Sequence, residues 1–373
     1  MHRILILFPG PSYGVDKKLL SRLECLSERF EGTVITTSSA SWLRRIGRFS
    51  VVAVKQRPSR IGGLFYYLAV ALQIARRPCN GPNVSLVVTY DPLRSGLVGV
   101  IIARVCRAKL LVEVNGDYGN IANYMEVENG LARRFKRQYY VGTEKFVLRR
   151  SDAIRLLYPS QLQSLGFKLK DQVVRAYPNI IHTSGFRNID GENIILSVGF
   201  PMYVKGMDLL ISAFLGIADK IPDWKLEILG YYPNQEELLR LTKNHPRISI
   251  LRPVSHDEMP GIMGRCGIFV LASRTEAMGR VLVEAAAAGK ARIGTRVGGI
   301  PTVIEHEKDG LLAESNDAEE IQRAILRLAK DKHLRQRLGH QAYLRAHRDF
   351  TPERWAANTE SHYLTVIDEH NTR

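Results

Sequence analysis

Ser273-Arg274-Thr275-Glu276-Ala277-Met278-Gly279-Arg280-Val281-Leu282-Val283-Glu284 is the stretch that decides how the chain is read. An apolar run, Ile268 to Leu271, stands before it and reads as a buried parallel strand. Arg280 to Ala288 follows, rich in Ala, Leu and Val, and reads as a helix stopped at Gly289 with Lys290 behind it. Glu276 then sits in the loop at a strand's carboxyl end, and Glu284 lies just over one turn inside the helix. Between them Gly279 lets the backbone approach a ligand, at a helix start whose free amides favour an anion. The order is a hydroxyl acceptor, an anion cradle and a second hydroxyl acceptor. A sugar joined through a diphosphate to a nucleoside presents its groups in that order. An ordinary strand–helix unit with two solvated glutamates would look the same in isolation, so the surrounding chain has to decide.

Upstream the pattern repeats. Asn193 to Val198 reads as a strand, Gly199-Phe200-Pro201-Met202-Tyr203-Val204-Lys205-Gly206 as a loop, and Met207 to Ala218 as a helix. A lysine in a loop capped by a helix start is well placed to neutralise a diphosphate. Lys225 to Leu229, Ile248 to Leu251, Ala291 to Thr295 and Leu311-Leu312 continue the strands. Gly298-Gly299, before a helix begun by Ile300-Pro301, adds further backbone amides. In the first half, strands fall at Arg3 to Phe8, Thr33 to Thr36, Val51 to Val54, Ser85 to Thr89, Leu110 to Val114 and Ala153 to Leu157. Helical patterns between most of them imply parallel sheets covered on both faces, with ligands at the strands' carboxyl ends.

Three first-half strand ends draw attention: Pro9-Gly10-Pro11-Ser12-Tyr13-Gly14, Thr89-Tyr90-Asp91-Pro92 and Glu113-Val114-Asn115-Gly116-Asp117-Tyr118. Asp91 and Asp117 could serve an acceptor hydroxyl, although beside Pro and Gly each is equally a turn former. Residues 119–150 read as an amphipathic, basic and aromatic helix. The turn-rich run Thr183 to Gly191 places an interdomain linker near 182–191. Two domains result: 1–183, with a helical tail at 354–373 returning to it, and 184–353.

Composition narrows the function. With 24% charged and 45% hydrophobic residues, the 373-residue chain is an ordinary soluble globular type. Its four cysteines are scattered without CxxC spacing, which argues against a disulfide framework or zinc site and fits a reducing cytosol. Only five apolar residues follow Met1-His2-Arg3 before Pro9-Gly10, too few for a secretory leader. The longest apolar segment, Ile61 to Ala75, falls short of the roughly 18 residues of a membrane span. A net charge of +16 calls for an anionic partner: nucleic acid, a membrane surface or a phosphorylated substrate. No nucleic-acid-binding signature is present, so that partner is not expected. Basic clusters at Arg44-Arg45-Arg48 and Arg133-Arg134-Lys136-Arg137 stand among Trp42, Phe49, Phe135, Tyr139 and Tyr140. That mixture suits lipid headgroups, while a solvated basic face fits it equally.

The segments FVLASRTEAMGRVLVEAAAAGKARIGTRVGGIPTVI and ILSVGFPMYVKGMDLLISAF, with seven residues between Glu276 and Glu284, carry a family resemblance. The chain resembles the retaining glycosyltransferases of family 4 (glycosyl transferases group 1), closely over 190–315 and more loosely before 180. This implies an α/β fold of two Rossmann-like domains facing each other across a cleft, the GT-B fold. The resemblance implies that Glu276 holds hydroxyls of the donor sugar and Glu284 those of the ribose. Lys205, Gly279, Arg280 and Val281 would face the diphosphate. Phe200 stands where the family commonly has arginine, so Arg274 or Arg280 is expected to supply the missing cation. Tyr232 replaces a common glycine, and Tyr13-Gly14 a glycine pair, leaving Gly14 as a donor contact and Tyr13 as an acceptor-side candidate. Asn115 aligns with a histidine near the reacting sugar; it can donate a hydrogen bond but cannot take a proton. His256, in a loop that borders the nucleobase in the family, is read as a helix-start residue.

By the same resemblance the reaction is a retaining transfer of a hexose-type sugar from a UDP- or GDP-sugar. No metal and no other cofactor is expected, and the leaving phosphate takes the acceptor's proton. A glycan or lipid-linked acceptor in cell-surface polysaccharide or glycolipid synthesis is expected, with the enzyme cytoplasmic and in peripheral contact with an anionic membrane. Sugar-nucleotide epimerases and phosphorylases share the architecture, although a familiar phosphorylase would need a pyridoxal lysine that no stretch supplies. A basic nucleic-acid-binding protein that kept the fold is the remaining alternative.

Overall fold

The computed structural model describes residues 1–8, 17–57, 59–76, 83–125, 129–232 and 235–371. Two compact units divide the chain: Met1–Gly119, Val127–Ile180 and Pro352–Arg373 form one, and Asn120–Glu126 with Ile181–Thr351 the other. The first holds β1 (His2–Leu7), β2 (Phe30–Ser38), β3 (Trp42–Ile46), β4 (Phe49–Lys55), β5 (Val84–Thr89), β6 (Lys109–Glu113), β7 (Ala153–Leu156) and β8 (Val173–Ala176). They form one sheet in the order β3-β4-β2-β1-β5-β6-β7-β8, parallel except for the β3–β4 pair. Its helices are α1 (Lys17–Leu26), α2 (Arg60–Ala75), α3 (Arg94–Cys106) and α4 (Gly130–Leu148). The second unit holds β9 (Ile194–Val198), β10 (Lys225–Leu229), β11 (Ile248–Leu251), β12 (Ile268–Leu271), β13 (Ala291–Thr295) and β14 (Leu311–Ala313). Around its sheet run α5 (Met207–Leu215), α6 (Gln235–Thr242), α7 (Met259–Arg265), α8 (Arg280–Ala287), α9 (Ile300–Val303), α10 (Ala318–Lys330) and α11 (Lys332–Asp349). The last helix, α12 (Pro352–Asn371), belongs to the first unit. No helix among the described residues is long and apolar enough to cross a membrane.

Strand β1 shows why the first sheet is covered twice. Successive side chains point to opposite faces, so Ile4 and Ile6 join Leu19 and Leu23 of α1 and Trp355 and Tyr363 of α12. Leu5 and Leu7 join Tyr67 of α2, Val98 of α3 and Val147 of α4 on the other face. Each fully buried side chain of this kind contributes about 1.5–3 kcal/mol. In the second unit Ile195, Ile228, Val270 and Ile293 pack against Phe214 of α5 and Ile321, Ile325 and Leu328 of α10.

Three local expectations change. Strand β3 is an addition; three consecutive exposed residues, Leu43-Arg44-Arg45, hide it from any alternating pattern. Strand β8 is four residues long and half-buried, tied to α12 by Arg175 donating to Ser361 and Thr365. The run read as a linker, 182–191, is instead anchored in the second unit. Phe186 is buried, the Ile189 carbonyl accepts from Lys290 Nζ at 2.6 Å, and Gly191 leaves no room for a Cβ against the Cys266 carbonyl.

The inward side of α4 carries one acid. Glu144 is buried, and its Oε2 has no hydrogen-bond partner. Burial, reinforced by the negative charge of Asp117, pushes its carboxyl from 4.5 up to about 8. Between those two values the folded chain keeps a proton that the unfolded chain has lost. The resulting stabilisation is complete below 4.5 and disappears as pH rises through about 8. Glu144→Gln should therefore leave the melting temperature nearly unchanged at or below pH 4.5 and raise it increasingly above that, by roughly several degrees at alkaline pH; melts at both pH values check this.

Candidate functional site

In the second unit the strand order β11-β10-β9-β12-β13-β14 reverses between β9 and β12, which pair in parallel. Open α/β sheets bind ligands beyond the carboxyl ends of strands at such a reversal. Loop 199–206 leaves β9 there, loop 272–279 leaves β12, and loop 296–299 leaves the adjacent β13. Glycines let the three loops touch. A Cβ on Gly206 would lie 2.0 Å from the Ala272 carbonyl oxygen, and one on Gly298 would lie 1.7 Å from that of Glu276. The Gly299 amide donates to the same Glu276 oxygen at 3.1 Å. Gly206 (φ +63°) precedes α5 and Gly279 (φ +77°) precedes α8, both left-handed, and no side chain caps either helix. Two helix starts, each with positive dipole ends, thus stand at neighbouring strand ends.

Charged side chains gather around these starts. Lys205 Nζ donates to Glu276 Oε2 at 2.5 Å. The lysine's stem lies against Gly199, where a Cβ would fall 3.0 Å from its Cγ. Inside α8, Glu284 is buried and pairs with Arg280 Nε at 3.0 Å, one helical turn earlier. His256 Nε2 meets the Arg280 guanidinium and lies 3.7 Å from Glu284 Oε1. Burial raises the Glu284 pKa, while Arg280 and then His256 pull it back. The two glutamates therefore carry separate cations, one pair on each side of Gly279. Val281, partly buried, follows in the first turn of α8.

Arg274 is not the spare cation expected to replace the missing arginine. Its fork grips Asp208 at 2.8 and 2.7 Å, and it also donates to the Tyr203 carbonyl and to Asn316 Oδ1. Its amide donates to Val204 at 2.8 Å, so it clamps the Lys205 loop to the Glu276 loop. Phe200 is exposed beside Tyr231, ring centroids 6.0 Å apart. Tyr232, in place of a glycine, donates to the Gly199 carbonyl at 2.6 Å. His256 is a correction as well: Glu258, not His256, stands before α7, and the imidazole joins the Glu284 group. Among the described residues no three His, Cys, Asp or Glu side chains gather as a metal site would require.

The first unit's candidates are mostly engaged in the fold. Asp91 accepts from the Leu93 amide at 2.6 Å and from Ser95 Oγ at 2.7 Å, shaping the turn into α3; the turn-forming reading wins. Asn115 Nδ2 donates to the Tyr90 carbonyl at 2.7 Å, and its Oδ1 accepts from Arg155 and Asn179. Its amide joins the ends of β5, β6 and β7 rather than standing open to a sugar. Asp117 accepts from Ser164 Oγ at 3.0 Å and carries the charge felt by Glu144. Tyr13 and Gly14 lie outside the described residues.

Residues 183–345 match the family model described as glycosyl transferases group 1. An uncharacterized glycosyltransferase of Methanocaldococcus jannaschii is 27% identical over 276 residues, 73% of each chain. The N-acetyl-alpha-D-glucosaminyl L-malate synthase of Bacillus anthracis is 32% identical over 179 residues, 48% of this chain and 47% of its own length. The chain thus spans about half the length of that second relative. Among solved structures, sucrose-phosphate synthase of Thermosynechococcus elongatus superposes with a TM-score of 0.79 at 19% identity, covering 99% and 100% of the two chains. HepE of Anabaena, in complex with UDP-glucose, superposes with a TM-score of 0.72 at 16% identity, covering 96% and 99%. These likenesses show the fold, two Rossmann-like α/β units of the GT-B type.

Loop contact through Gly298 is open to test. Gly298→Ala combines a left-handed backbone, which costs an L-residue about 1–2 kcal/mol, with a clash on the Glu276 carbonyl. Denaturant unfolding should show at least that loss. Gly261→Ala, where nothing lies within 4 Å, should be neutral or slightly stabilising.

Proposed function

We propose that this chain, whose residues 183–345 match the family model described as glycosyl transferases group 1, moves a hexose-type sugar from a nucleotide-sugar, with retention, to a glycan or lipid-linked acceptor. The observation that carries this reading is the pairing of Lys205 with Glu276 and of Arg280 with Glu284 around two uncapped helix starts. Departure of a nucleoside diphosphate builds negative charge on its terminal phosphate. Lys205 and the first-turn amides of α8 at Gly279, Arg280 and Val281 would meet that charge as it develops. Glu276, held beside Lys205, would accept hydrogen bonds from the departing sugar's hydroxyls. Glu284, oriented by Arg280 and His256, would accept those of the ribose. The lysine ammonium has three donors and can turn from Glu276 to a phosphate while keeping one bond to the carboxylate.

A nucleotide-sugar donor is supported by the UDP-glucose held by HepE, and transfer to give an α-linked product by the name of the Bacillus relative. The reading includes no metal ion, since the cations named are placed to do that work. Asp117 remains the acceptor-side candidate, and Asn115 is assigned to positioning the strand ends around it. Cell-surface glycan or glycolipid synthesis on the cytoplasmic side of a membrane is the setting this chemistry suits.

Thermal melting with a panel of UDP- and GDP-sugars should single out one donor that raises the melting temperature. With that donor, Glu276→Ala and Lys205→Ala should each lower turnover by roughly 10²–10³-fold while melting as the wild type does. Near-native transfer by either variant would remove its assigned role. A chelator should leave the rate unchanged; complete loss with it would overturn the metal-free mechanism.

A further inference from the structure

Helices α2, α3 and α4 lie side by side on one face of the first unit's sheet. Their inner sides are buried in its core, and their outer sides expose Phe65, Ile101, Val105, Leu131, Phe135 and Tyr139. Leu131, Phe135 and Tyr139 recur every four residues, so they form one stripe along α4, opposite buried Glu144, Val147 and Leu148. Single exposed apolar residues are ordinary, but a set gathered on one face marks a contact surface.

Charge on the same face has one sign. Neither α2 nor α3 contains an aspartate or glutamate, and the single acid of α4, Glu144, is buried. Exposed cations do occur there: Arg94 and Arg104 on α3, Arg134 and Lys136 on α4. Along the described residues of these three helices the exposed apolar side chains stand beside cations and no exposed acid, which does not suit water. Nor does it match a typical protein interface, whose core is poor in charge and whose rim carries both signs. Aromatic and leucine side chains flanked by Arg and Lys match the boundary between acyl chains and anionic headgroups.

We propose that the outer face of α2, α3 and α4 seats this chain on an anionic lipid bilayer, with the α4 stripe entering the headgroup layer. The docking stands apart from the transfer reaction, because none of these residues belongs to the candidate site of the second unit. It would hold the enzyme where a lipid-borne acceptor is found.

The test is co-sedimentation of the full chain with vesicles of phosphatidylglycerol mixed with phosphatidylcholine, against phosphatidylcholine alone. Binding should favour the anionic vesicles and weaken as salt rises. Leu131→Ser with Phe135→Ser should weaken it by at least about tenfold. Arg134→Gln with Lys136→Gln should weaken it roughly fivefold for each cation removed. Because all four side chains are exposed, the variants should melt like the wild type and keep its donor-induced rise in melting temperature. Equal partition onto both vesicle types, no sedimentation with either, or unchanged binding by the variants would overturn the proposal. So would a dimer in ultracentrifugation that the Leu131 and Phe135 changes abolish, or tighter binding to an oligonucleotide than to the vesicles.

Discussion

Three loops of the second unit meet at distances no Cβ would tolerate. Gly206 against Ala272 and Gly298 against Glu276 are contacts of backbone on backbone, possible because those positions have no side chain. From that closeness the rest follows. The Lys205 loop and the Glu276 loop lie near enough for their side chains to pair, and Arg274 can span both with one guanidinium. Two helix starts are left at adjacent strand ends without a capping side chain, which a phosphate could use.

Comparing the ion pairs of the two units separates structural charge from charge available to a ligand. In the first unit Arg22 and Glu113 pair at 2.5 Å, both deeply buried, with the guanidinium also over Tyr90 and Trp355. Breaking such a pair costs about 3–5 kcal/mol, because the remaining charge is stranded. Lys205 and Glu276 keep 19% and 14% of their side chains exposed. That pair keeps an edge in water, so it lies between the buried limit and exposed surface pairs, which are worth about 1 kcal/mol or less. The Arg22 pair ties α1 to β6, with Trp355 of α12 stacked on the same guanidinium, whereas the Lys205 pair joins two loops at the strand ends.

The parallel strands and the glutamate spacing were legible because each rests on a local pattern. Apolar runs at Ile268–Leu271 and Ile194–Val198 announce buried strands, and a glycine followed by a helix-forming run announces a helix start. What escaped the sequence depends on partners distant along the chain. Arg274 looked like a free cation until Asp208, 66 positions away, and Asn316, 42 away, came into reach. Asn115 looked open to a ligand, yet Tyr90, Arg155 and Asn179 close around its amide. His256 carried no pattern at all, since its meaning comes from Arg280 and Glu284 on another element. The 182–191 run has loop composition, but Lys290, fixed from another element, holds it down.

Strand β3 ends the first sheet as its only antiparallel member among the described residues, and it turns Leu43, Arg44 and Arg45 outward. An unpaired border of this kind offers peptide groups to any other extended chain. Here a second copy approaching edge to edge would bring two guanidinium groups against two more, so repulsion acts before backbone bonds can form. The sheet therefore carries its own guard against stacking into fibrils, which matters most when many copies crowd together.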